Sequence, residues 1–99
     1  MRRIKFIIST DGERIIRLRS IQSVRLISHA ANGFKAARIV ANLKGGADPV
    51  TLAAYTAMDG TPEAENLPSR AQADMGRLLA LLNGRRLHRG DSWPKETED

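Results

Sequence analysis

The chain has 99 residues, a formal net charge of +5 and no cysteine. That length suits one domain burying roughly two thirds of its unfolded surface, and the lack of cysteine excludes a disulfide framework and any thiolate metal site. A reducing, cytoplasmic setting is the simplest expectation, and the basic balance points to an anionic partner such as nucleic acid or an acidic protein.

Met1-Arg2-Arg3 opens like the basic end of a signal peptide, but only Phe6-Ile7-Ile8 follow before Ser9-Thr10-Asp11-Gly12. That apolar run is too short for a secretory segment or a membrane span. A first strand is expected over about 2–9, where Ile4, Phe6 and Ile8 alternate with Arg3, Lys5 and Ile7. Asp11-Gly12, between two β-patterned runs, predicts a hairpin into a second strand over about 14–19.

The alternation then breaks. Leu18, Ile21 and Val24 are spaced by three, which a straight strand cannot place on one face but a tight helical turn or bulge at Ser20-Ile21-Gln22 can. Ile21 should plug that corner from the inside. A third strand follows over about 23–29 and ends in His29-Ala30-Ala31-Asn32-Gly33. The run 34–43 sets Ile39, Ala41 and Leu43 against Arg38, Val40 and Asn42. After the loop 44–49, the run 50–55 sets Val50, Leu52 and Ala54 against Thr51, Ala53 and Tyr55, forming a second hairpin whose first strand residue follows Pro49.

Met58 to Pro68 carries two prolines, a glycine and three acids, and reads as an exposed connection in which Thr61-Pro62-Glu63 caps at most a short turn. Ser69 and Gln72 have capping-box spacing, so the helix is expected over 69–83, with Ala71, Met75, Leu78, Leu79 and Leu82 as its apolar stripe and Asn83-Gly84 as its end. One domain over 1–84 and a mobile charged tail over 85–99 complete the expectation.

Little in the chain suggests catalysis or a cofactor. His29 and His88 have no partner at metal-ligand spacing, Lys44-Gly45-Gly46 lacks the Gly-Lys-Ser/Thr of a phosphate cradle, and Asp11 and Glu13 flank a turn glycine as solvated residues do. No enzyme activity, metal or cofactor is therefore expected. If the face with Ile4, Phe6, Ile8, Ile16, Leu18, Val24, Leu26, Ile39, Ala41, Leu43, Val50 and Leu52 turns to the helix, the other face collects Arg3, Lys5, Arg17, Arg19, Arg25 and Arg38. Such a surface suits a phosphate backbone, although it offers few aromatic rings for bases to stack on. The same outer face also collects Ile7, Ile15, Ile27, Val40, Ala53 and Tyr55, too much apolar surface for a face in water. A homodimer through Ile7, Ile15, Ile27, Val40 and Tyr55 is the expected assembly.

Two β-hairpins, the Leu18-x-x-Ile21-x-x-Val24 corner, the turn at Gly45-Gly46 leading to Val50-Thr51-Leu52 and a closing helix over 69–83 together resemble the small bacterial domains of pleckstrin-homology-like or half-roll type, over about 10–83. The resemblance implies a strand meander covered by a C-terminal helix and an adaptor-like role, with no catalytic residues to carry over. The expected class is α+β: an antiparallel sheet of four or five strands covered on one face by one C-terminal helix. The expected role is a non-enzymatic binding or assembly module, with a basic nucleic-acid-binding accessory protein as the alternative.

Overall fold

A computed structural model describes residues 5–10, 12–46, 48–84 and 93–98. Strand β1 (Lys5–Ile8) pairs antiparallel with β2 (Ile15–Arg17). Gly12 takes a positive φ of 75° in the turn between them, a conformation glycine adopts without steric cost. Ser9 holds both sides of this turn: its N–H donates to the Arg14 carbonyl at 2.9 Å and its Oγ accepts from the Arg14 N–H at 3.1 Å.

The expected corner is present. Leu18–Ser20 forms a 3-10 turn, closed by the Ser20 hydroxyl donating to the Arg17 carbonyl at 2.7 Å, and Ile21 behind it is buried in the core. Strand β3 (Ile21–Ala31) begins with a bulge between Ile21 and Ser23. It turns through Asn32 (φ 52°) and Gly33 (φ 83°) into β4 (Phe34–Leu43). Two successive positive φ values match the strand twist in a two-residue hairpin. Strand β5 (Val50–Met58) pairs with the other side of β4.

Helix α1 (Pro62–Leu82) starts seven residues earlier than the expected 69. Thr61 is its N-cap, with Oγ1 accepting from the Ala64 N–H at 3.3 Å, and Pro62 sits where a missing N–H is harmless. Ser69 and Gln72 are exposed residues inside the helix and do not cap it. Pro68 also lies inside. It has no N–H for the Ala64 carbonyl, and burial compensates: Ala64, Leu67, Ala71, Asp74, Leu78 and Leu81 form one buried stripe spaced by three and four. Met75 and Leu82 flank that stripe, and Leu79 is exposed.

Within the expected mobile tail over 85–99, the described residues 93–98 are a second correction. Lys95–Glu98 forms β6, antiparallel to β1, and Trp93 and Pro94 before it are buried, with a cis peptide bond between them. Residues 85–92 and 99 lie outside the described set, as do Arg2, Arg3, Ile4 and Asp11. The strands divide into two antiparallel sheets, β2-β1-β6 and β3-β4-β5. The α+β class with, among the described residues, one C-terminal α-helix over a sheet is as expected; α1 packs on β4 and β5 and touches β3.

Two shifts of alternation decide what the core contains. In β1, Ile7 is paired with Ile16 and is fully buried, while Phe6 and Ile8 are only partly buried, the reverse of the expected facing. In β5 a register shift follows Thr51, so Leu52 and Ala53 are both buried and Tyr55, not Ala54, turns inward. One extra residue in a strand moves every later side chain to the other face.

Candidate functional site

Three features of the fold bring chemistry-bearing side chains together. The first is a buried polar chain. Asp74, 2% exposed, sits in the middle of the α1 stripe, where a carboxylate must find partners or pay a large desolvation penalty. It has two: the Tyr55 hydroxyl donates to Oδ2, and Arg77, one turn along the helix, donates from Nη2 to Oδ1. Arg77 Nε donates to the Trp93 carbonyl at 2.8 Å, and Trp93 Nε1 donates to the Ile8 carbonyl at 2.8 Å. The chain of bonds thus ties β5, α1, the start of β6 and β1. Burial raises the Tyr55 pKa above its usual 10.0, with the charges of Arg70 and Arg77 acting in the opposite direction.

The second feature is a pair of clefts beside this chain. One, of about 330 Å³, lies among Ser9, Thr10, Tyr55, Arg70, Asp74 and Trp93. The other, of about 460 Å³, continues between β5 and the first half of α1. Arg70 and Tyr55 line both, and the Arg70 guanidinium stands 5.4 Å from the Tyr55 ring centroid. That is within cation–π range.

The third feature is the face of the β3-β4-β5 sheet opposite α1. Pairing places Arg25 beside Val40, Ile27 beside Arg38, Ala31 beside Phe34 and Phe34 beside Met58. Directly paired residues share a face, so this face carries Arg25, Ile27, His29, Phe34, Arg38, Val40 and Met58. Phe34 and Met58 are 49% and 61% exposed.

The expected site residues scatter over the fold, and only some fall in these features. Ile7 and Tyr55 belong to the core rather than to an oligomer surface, for the two reasons of alternation given above. Val40 is buried at the centre of the sheet's opposite face and Ile27 is half-buried beside it. Ile15, 65% exposed, belongs to β2 in the other sheet. The five therefore do not form one patch. The basic set also divides: Arg25 and Arg38 share the face opposite α1, Arg17 lies on β2, Arg19 on the 3-10 turn and Lys5 on β1 next to β6. One continuous basic face fails because the corner at Leu18–Ser20 carries the chain from one sheet into the other.

Sequence reasoning missed Asp74, Arg77 and Trp93. A signal was present, since an acid at 74 falls in phase with Leu67, Ala71, Leu78 and Leu81 on the apolar stripe. Among the described residues, no cluster of three or more His, Asp or Glu could hold a metal, and no helix is long and apolar enough to cross a membrane. Compared with models of protein families, with curated proteins and with solved structures, the chain matches none.

Proposed function

We propose that this chain is a small non-enzymatic binding and assembly module that pairs with a second copy through the sheet face opposite α1. One observation carries the reading: Phe34 and Met58, paired neighbours on that face, are both largely exposed, with half-buried Ile27 along the same surface. A sheet face left in water is normally polar, and large apolar groups exposed side by side mark interaction surfaces. Three strands of nine or so residues present about 400 Å² of projected area. Two such faces lie at the small end of specific interfaces, so the dimer is weak and reversible.

Arg25 and Arg38 give this pairing a signature. Strands β3, β4 and β5 contain no Asp or Glu, so two copies bring like charges towards each other, and added salt should strengthen the dimer by screening them. Light scattering at increasing salt tests this. Phe34→Asp with Met58→Asp should give a folded monomer throughout, and a wild type that stays monomeric at high concentration and high salt sinks the reading.

The absence of acids on these strands also favours a second reading, a nucleic-acid backbone lying across Arg25 and Arg38 with Phe34 and His29 on the same face. It makes the opposite prediction: affinity for unrelated duplexes or single strands should fall steeply with salt, with little sequence preference.

A further inference from the structure

We propose that the free edge of β5 accepts an extended acidic peptide as an added strand, seated in the groove between β5 and α1, with a peptide carboxylate at Arg70. This edge adjoins the sheet face opposite α1 and shares Met58 with it, but it uses main-chain groups of β5 where the dimer uses side chains, so separate variants test the two proposals.

The direction of the backbone groups comes first. In an antiparallel pair, residues alternate between those bonded to the partner strand and those whose N–H and C=O point away from it. The Ala54 N–H points away from β4, because it donates to Thr10 Oγ1 at 3.3 Å. Asp59 N–H donates to the Gly33 carbonyl at 2.8 Å, so the next pair inward, Phe34 with Met58, is again of the outward class. Thr56 lies between Ala54 and Met58 in the same phase. Its N–H and C=O, together with the Ala54 C=O and the Met58 N–H, therefore line the outer edge of β5, and among the described residues no strand covers them.

The protein already uses the neighbouring part of this edge. Thr10 N–H donates to the Leu52 carbonyl at 3.0 Å, and Thr10 Oγ1 takes the Ala54 N–H, so the Ser9–Thr10 turn imitates the first residue of an added strand and then stops. Beyond it the edge opens onto the cleft of about 460 Å³, which Asn66, Leu67 and Arg70 border from α1. The span from Ala54 to Met58 fits four or five residues of extended chain. Unpaired edge groups beside a groove are what strand addition requires: main-chain bonds supply affinity and the groove reads alternate side chains.

Arg70 specifies the chemistry of the occupant. Its guanidinium rests over the Tyr55 ring at the junction of the two clefts, and among the described residues it has no carboxylate partner. Asp74 nearby is already engaged by Tyr55 and Arg77. A carboxylate on the peptide completes the site, and the chain's net charge of +5 favours its approach.

The probe is a synthetic acetylated and amidated pentapeptide, Glu-Val-Thr-Val-Thr, titrated at millimolar concentration into the isotope-labelled full chain and followed by amide chemical shifts. The largest changes are expected at Ala54 to Met58, with slowed exchange of the Thr56 amide proton. The same peptide N-methylated at alternate residues, in either phase, should not bind in the phase that faces β5. Replacing its Glu by Gln should weaken binding about two- to fivefold in the wild type and not at all in Arg70→Ala, the size of an exposed ion pair. Thr56→Pro should keep the fold, because that N–H lies outside the ladder, and should abolish binding. No shifts, shifts centred on Arg25 and Arg38, or equal binding of both N-methylated peptides would overturn the proposal.

Discussion

The Tyr55 hydroxyl donates to a carboxylate oxygen of Asp74, joining the inward face of β5 to the middle of α1 inside the core. A hydrogen bond to a charged group contributes about 1.5 to 3 kcal/mol. Tyr55→Phe keeps the ring and removes the donor, so unfolding in urea should show a loss of that size with little change in slope. Removing Arg77 instead leaves a buried carboxylate with half its support, and Arg77→Met should cost more, about 3 to 5 kcal/mol. Equal, small effects from both would mean that the carboxylate is hydrated rather than buried.

The same phenol controls an alkaline limb of stability. Burial favours its neutral form, so the folded protein holds the Tyr55 proton to higher pH than the unfolded chain, whose value is near 10.0. Stability from this group is complete below pH 10.0 and is lost as pH rises from there through the higher folded-state value. Wild type should therefore lose stability above pH 10.0 more steeply than Tyr55→Phe. Parallel curves in denaturant titrations at alkaline pH would contradict this.

Trp93 anchors the last strand. Its ring is buried, its Nε1–H bonds the Ile8 carbonyl and its own carbonyl receives Arg77 Nε. Trp93→Ala should cost about 3 to 5 kcal/mol, the usual range for a buried aromatic. It should also speed amide exchange on the β1 side that faces β6. Trp93→Phe, which keeps most of the packing but loses the N–H, should cost less. Protection of β1 unchanged in Trp93→Ala would show that β6 docks without its anchor.

Pro68 interrupts the hydrogen-bond ladder of α1 while remaining exposed. Alanine there restores an N–H for the Ala64 carbonyl and has the highest helix propensity, whereas interior proline costs up to about 3 kcal/mol. Part of that gain is offset because proline also restricts the unfolded chain. Pro68→Ala should raise stability by about 1 to 2 kcal/mol in thermal or urea melts. A loss of stability would show that the proline ring packs productively against the β3-β4 hairpin beside it, where it shares a shallow cleft with Ser28, Ala30 and Lys35.

Local chemistry in the sequence was enough for several elements. The spacing of Leu18, Ile21 and Val24 required a corner, and the structure has a 3-10 turn and a bulge there. Asp11-Gly12 and Asn32-Gly33 marked tight connections, and Asn83-Gly84 marked the helix end, where Gly84 has a φ of 84°. Each of these depends on a few neighbouring residues and on backbone preferences that tertiary contacts did not overrule.

Tertiary structure alone decided the rest, because the deciding contacts join distant parts of the chain. Which face of β1 turns inward depends on Ile7 meeting Ile16 and the wider core, and the register shift after Thr51 depends on how β5 lies along β4. The early start of α1 through Pro68 follows from burying Ala64 and Leu67, a gain visible only when the helix has a sheet beneath it. Residues 93–98 have no periodicity of their own, and they are held by Trp93 bonding Ile8 across 85 positions of sequence. The phase of Asp74 with the apolar stripe was in the sequence, but its partners Tyr55 and Arg77 were not, since a buried charge is tolerated only by partners that the fold supplies.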